Sequence, residues 1–138
     1  MTREELLKAA MECIEEARRV CPTFPEDQFP IALYLFDRST EGILASKIMM
    51  LPRSKKVFFT IAEQVINSLP CEAYLVLATG EAQGTGGGTV LMVGGSTADG
   101  EKVSLASKSV TGEPLVFGEP KEITNPTGPI MGLFKTVH

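Results

Sequence analysis

The residues best placed to do chemistry are a glycine run, Gly84-Thr85-Gly86-Gly87-Gly88, and the carboxylate Glu81 just before it. Backbone N–H groups in such a loop can cradle an anion. A nucleotide-phosphate loop, however, ends in Gly-Lys-Ser/Thr and opens a helix, and the dinucleotide fingerprint also leads from strand to helix. Here no lysine closes the run, and Thr89-Val90-Leu91-Met92-Val93 continues it as a strand. The plainer reading is a pliant link between two strands, where glycine has no steric cost. Glu81, at a strand end beside that link, is a candidate general base. The next acids, Asp99 and Glu101, stand a full strand away, so a polar strand terminus is the simpler description.

A second candidate is Arg53-Ser54-Lys55-Lys56, at the expected start of a helix. Cations there oppose the helix dipole. They would suit an anion held by the helix N-terminus, with Lys47 adding to a small basic patch. Without a ligand the same residues are a solvated helix start. The candidate ligand-binding set is therefore Arg53, Ser54, Lys55, Lys56, Glu81, Gly86 and Gly87, with no catalytic residue assigned.

Other chemistries are restricted by composition. The three cysteines are Cys13, Cys21 and Cys71, and the single histidine is His138. Cys13 and Cys21 would lie about 12 Å apart along one helix, beyond the roughly 7 Å that a disulfide spans. No CxxC pair occurs, so inert thiols, no metal site and no cofactor are expected. One terminal histidine cannot complete a Ser/His/Asp triad. With 13 Lys+Arg against 17 Asp+Glu and a net charge of −4, a general nucleic-acid binder is not expected. Neither an apolar leader nor a membrane-length apolar run is present, which predicts a soluble cytoplasmic protein.

The elements that would position these groups are legible from periodicity. Thr2 and Glu5 form a capping box ahead of a helix over 2–20, with an apolar stripe of Leu6, Ala10, Cys13 or Ile14, Ala17 and Val20. Residues 31–37 read as a strand apolar on both faces, and 43–51 as a second strand, although Ala45, Met49 and Met50 would suit a helix equally well. A second helix is expected over 55–69, capped by Ser54, with a stripe of Val57, Phe58, Ile61, Val65 and Leu69 that Ile66 widens. Ala73–Thr79 is a continuous apolar run, as in a central strand covered on both sides. Asp99-Gly100 is a hairpin signal between Thr89–Gly94 and Lys102–Val110, and Leu115–Phe117 is a last short strand.

These readings predict one α+β domain over 1–138. Two helices would pack on one face of a mostly antiparallel sheet of about five to six strands. The expected core includes Leu6, Leu33, Ile61, Val65, Leu75 and Leu77. Residues 125–138 form a possible docking tail, because Ile130, Met131, Leu133 and Phe134 should not remain in water.

The order of elements also resembles a set of small bacterial and phage-type proteins of unknown function. The resemblance is carried by the helix, the hairpin after a Phe-Pro, the second helix, Gly80-Glu81-Ala82, and the Asp99-Gly100 hairpin followed by Phe117-Gly118-Glu119. It covers about residues 1–122 and implies the fold, not an activity.

The leading functional expectation is a non-enzymatic interaction module that forms a homo-oligomer, with no nucleic acid or membrane as partner. Ile130, Met131, Leu133 and Phe134 are the expected contact. The alternative is a small-anion or small-ligand binder or enzyme built from the Gly84–Gly88 loop, Glu81 and the Arg53–Lys56 helix start. Convergence of those groups on one pocket would favour the alternative.

Overall fold

The computed structural model describes residues 1–25, 28–38, 41–42, 44–51, 54–81, 88–110 and 116–124, with backbone alone at 44, 55 and 81. Helix α1 (Arg3–Val20) opens on the expected capping box. Glu5 N–H donates to Thr2 Oγ1 at 3.1 Å, and Thr2 N–H donates to Glu5 Oε1 at 3.0 Å. Its buried stripe is Leu6, Ala10, Ile14 and Ala17. A single 3-10 turn, Cys21–Thr23, follows and contains Pro22.

The chain then forms β1 (Ile31–Arg38), β2 (Leu44–Leu51), α2 (Lys55–Ser68), β3 (Ala73–Glu81), β4 (Thr89–Thr97) and β5 (Lys102–Val110). Two short strands, β6 (Val116–Phe117) and β7 (Lys121–Glu122), complete the described elements. The sheet has seven strands in the order β2-β1-β3-β4-β5-β6, with β7 also paired to β5. Every pairing among the described strands is antiparallel. Gly100, at φ 90°, turns the hairpin between β4 and β5, and its N–H donates to Thr97 O at 3.0 Å. The α+β class and the Asp99-Gly100 hairpin thus match the sequence reading.

The expected packing of both helices on one face does not. Side chains alternate between the faces of a strand, and here each face has its own helix. The stripe of α1 packs on Ala32 and Phe36 of β1, Ala73, Leu75 and Leu77 of β3, and Leu91, Val93, Val103 and Leu105 of β4 and β5. Residues of the opposite parity, Leu33, Leu35, Tyr74 and Val76, pack with Leu51 and with Phe58, Ala62 and Ile66 of α2. Strands apolar on both sides require a layer on each, which is why β1 and β3 are sandwiched.

The helices are also offset along the sheet. Helix α1 lies mainly against β4 and β5 and shares its core cluster with β3 and β1, whereas α2 shares its cluster with β1, β3 and the end of β2. Among the described residues, the core cluster under α1 contains no residue of β2.

The face of α2 needs a second correction. Its buried residues are Phe58, Ala62 and Ile66, while Ile61 and Val65 are half-buried and Val57 and Leu69 are exposed. The row that meets the sheet is Phe58, Ala62 and Ile66; Phe58 and Ile66 belong to the expected stripe and Ala62 does not. Ser54 holds the N-cap position without a side-chain bond to the helix. Leu6, Leu33, Leu75 and Leu77 are buried as expected.

Close strand packing fixes one glycine. A Cβ on Gly95 would lie 1.9 Å from Tyr74 O, so only glycine lets β3 and β4 approach as they do. At the end of the sheet where β3 begins, Arg38 ties β1 to α1. Its Nη2 donates to Glu5 Oε1 and Oε2 at 2.8 and 2.7 Å. Arg38 Nε also lies 3.1 Å from Glu72 Oε2, close enough for charge attraction though not aligned as a hydrogen bond. The Met1 amine donates to Glu72 Oε1 at 2.9 Å.

Candidate functional site, an open sheet edge

Strand β2 is paired on one side only. It stands at the end of the strand order, so its outer backbone groups meet no strand among the described residues. The other end of the sheet is treated differently: β5 is covered by β6 and β7, and Gly118 N–H and Ile123 N–H donate to Lys108 O and Ser104 O. A row of free N–H and C=O groups is a template for another strand.

The side chains of β2 add to this. Residues 45–50 are all exposed, including Ile48 at 58%, Met49 at 37% and Met50 at 62%. The register with β1 explains the exposure. Ile48 faces Tyr34 and Met50 faces Ala32, which puts both on the α1 side of the sheet, beyond the strands that α1 covers. Met49 faces Leu33 and Lys47 faces Leu35, on the α2 side. Among the β2 side chains described, 45–51, only Leu51, packed with Phe58, is buried.

Each described arginine is engaged: Arg3 with Glu122, Arg18 with Glu15, Arg19 with Glu16, and Arg38 with Glu5 and Glu72. Lys47, by contrast, is exposed and has no ion-pair partner among the described residues. The edge of β2 therefore presents one cation, no acid and a consecutive apolar run.

The residues proposed from sequence are distributed as follows. Arg53, Gly86 and Gly87 lie outside the described residues, as do Ile130, Met131, Leu133 and Phe134 of the tail. Ser54 and Lys56 are exposed at the start of α2, which Lys55 opens. Glu81 ends β3 and is paired in register with Thr89. The start of α2, the end of β3 and the start of β4 share one end of the sheet, because Leu51 pairs with Ile31 and β3 runs past Ala32 toward Glu81.

A shallow hollow of about 550 Å³ lies elsewhere, lined by Thr60, Glu63, Gln64, Asn67 and Ser68 of α2. Two of its polar groups are turned back on the helix: Thr60 Oγ1 donates to Lys56 O and Asn67 Nδ2 to Glu63 O. It contains none of the residues proposed from sequence.

The three thiols are all free. Burial pushes the Cys13 thiol up to about 11, with Glu12 adding to the rise. Burial also raises Cys21 and Cys71, the latter with a contribution from Asp37. A thiol held above its ordinary value is a poor nucleophile at neutral pH.

The edge character of β2 was not visible in the sequence. Ile48-Met49-Met50 has the apolar content of a central strand, and only the strand order shows that no further strand pairs with it among the described residues. Among the described residues, no helix is long and apolar enough to cross a membrane. No protein-family model, curated protein or solved structure matches this chain.

Proposed function

We propose that this protein is a non-enzymatic interaction module that associates with itself, and that its contact is the outer edge of β2. The observation that carries the reading is the open edge of Leu44–Leu51, with Ile48, Met49 and Met50 in water. Addition of a strand to such an edge supplies main-chain hydrogen bonds, and the alternating side chains supply selectivity. This moves the contact from the tail to the sheet edge. Light scattering on the eluting full chain and on a chain lacking residues 126–138 tests it. Dimers in both are expected at tens of micromolar. A monomeric full chain, or a dimer lost with the tail, would overturn it.

A second reading, binding of a small anion at the start of α2, is favoured by the shared sheet end of Ser54, Lys56 and Glu81. Amide NMR shifts on titration with inorganic phosphate would report it. Saturable shifts confined to residues 54–57 and 79–90 support the reading, and linear or absent shifts remove it.

A further inference from the structure

We propose that the strand added to β2 is that of a second copy of this chain, paired antiparallel about a twofold axis passing through Ile48. The proposal rests on the self-association reading above and specifies its register.

Symmetry removes most alternatives. A twofold axis that joins two identical edges antiparallel stands normal to the sheet, so the α1 side of one copy continues as the α1 side of the other. Residues directly opposed in an antiparallel pair project to the same face. The axis must therefore pass through a residue, since an axis between neighbours would oppose side chains of opposite faces. Centring on Ser46 or Met49 leaves much of Leu44–Leu51 unpaired. The two registers that use nearly the whole strand are centred on Lys47 and on Ile48.

Charge decides between them. Centring on Lys47 sets two ammonium-bearing side chains directly opposite each other, a destabilising arrangement. No acid of β2 lies nearby to relieve it. Centring on Ile48 opposes two isoleucines on the α1 side, where both are exposed and uncovered. It also sets Lys47 against the second copy's Met49, whose thioether can lie along the lysine stem, and Ser46 against the second copy's Met50. The one charge of the edge thus meets a neutral partner twice, and the exposed apolar residues meet each other. An identical strand satisfies this edge because the edge is self-complementary only in that register.

The register can be read by cross-linking. Directly opposed Cα atoms stand about 4.5–5.5 Å apart, within disulfide reach, whereas positions two residues out of register stand about 7–8 Å apart. Two chains are prepared, Ile48→Cys and Ser46→Cys, both retaining Lys47 and the three native thiols. Each is oxidised mildly, alone and as an equal mixture, beside wild type. Sedimentation velocity and melting curves confirm that each chain folds and associates. The expected result is a covalent dimer from the Ile48→Cys chain alone, with no gain from mixing. A disulfide between the Ser46→Cys and Ile48→Cys chains, with none from Ile48→Cys alone, would overturn this register in favour of Lys47 while leaving the β2 contact standing. Association without any disulfide would overturn the register and the β2 contact together. Monomers throughout would overturn the self-association reading itself.

Discussion

Met50 stands directly across the β1–β2 ladder from Ala32, yet Met50 is 62% exposed and Ala32 2%. The two side chains share one face of the sheet and differ by a single strand spacing. The face is therefore closed over β1 and open over β2, and the boundary between core and surface runs along that ladder.

Ile48→Glu places a carboxylate at the centre of the open edge without touching the core. Its stability to denaturant should stay within about 0.5 kcal/mol of wild type, as for most exposed positions. Its association should weaken by at least about tenfold, since like charges would face each other across the axis. Sedimentation and urea melts on the same samples check both halves.

Gly95→Ala should be far more disruptive than its size suggests. A methyl 1.9 Å from Tyr74 O cannot be accommodated unless the β3–β4 ladder opens. Overpacking of this kind costs about 1–3 kcal/mol or more. Gly100, whose added Cβ would meet nothing within 4 Å, is the comparison: its positive φ of 90° alone should make Gly100→Ala cost about 1–2 kcal/mol. Equal stability of the Gly95→Ala chain and wild type would show that the strands are not in this close contact.

Acid should loosen the tie between α1 and β1. The Thr2 backbone N–H, followed by Arg38, holds the Glu5 carboxyl at about 2, well below its ordinary value of 4.5. Glu72 is lowered as well, first by its bond to the Met1 amine. Because the folded value lies below the unfolded one, the stabilisation is complete above about pH 4.5 and drains away as pH falls toward 2. Melting temperatures of wild type and Glu5→Gln should converge across that window. A difference that persists unchanged to pH 2 would contradict the assignment.

The thiols should react slowly. Burial holds Cys13, Cys21 and Cys71 above their ordinary range. At neutral pH a disulfide reagent should modify the folded chain at least about tenfold more slowly than the urea-unfolded chain. Rapid labelling of one native thiol would mark it as exposed and activated.

Much of this fold was readable because its signals are local. The Thr2–Glu5 capping box, the α1 stripe and the Asp99-Gly100 turn depend on residues a few positions apart, and each formed as its pattern requires. The relations between elements were less legible. Ala73–Thr79 had the two-sided apolar pattern of a sandwiched strand, which conflicts with two helices on one face, and the structure resolved that conflict through Tyr74 and Leu75 facing opposite cores. The α2 stripe was too broad because Val57, Phe58, Ile61, Val65, Ile66 and Leu69 are all apolar, while only Phe58 and Ile66 of these are buried. The edge position of β2 was hidden for a similar reason: Ile48 and Met50 are as apolar as residues of a core strand, and strand order is a long-range property that no window of sequence contains.

Amide hydrogen exchange along β2 at low and high protein concentration measures the pairing of this edge most directly. Exchange of the outward-facing amides within residues 44–51 should slow at least about tenfold between roughly 1 and 200 micromolar, as monomer gives way to dimer, while the β5 edge stays unchanged. Dimer formation with identical β2 exchange at both concentrations, or protection appearing at β5 through β7 instead, would contradict it.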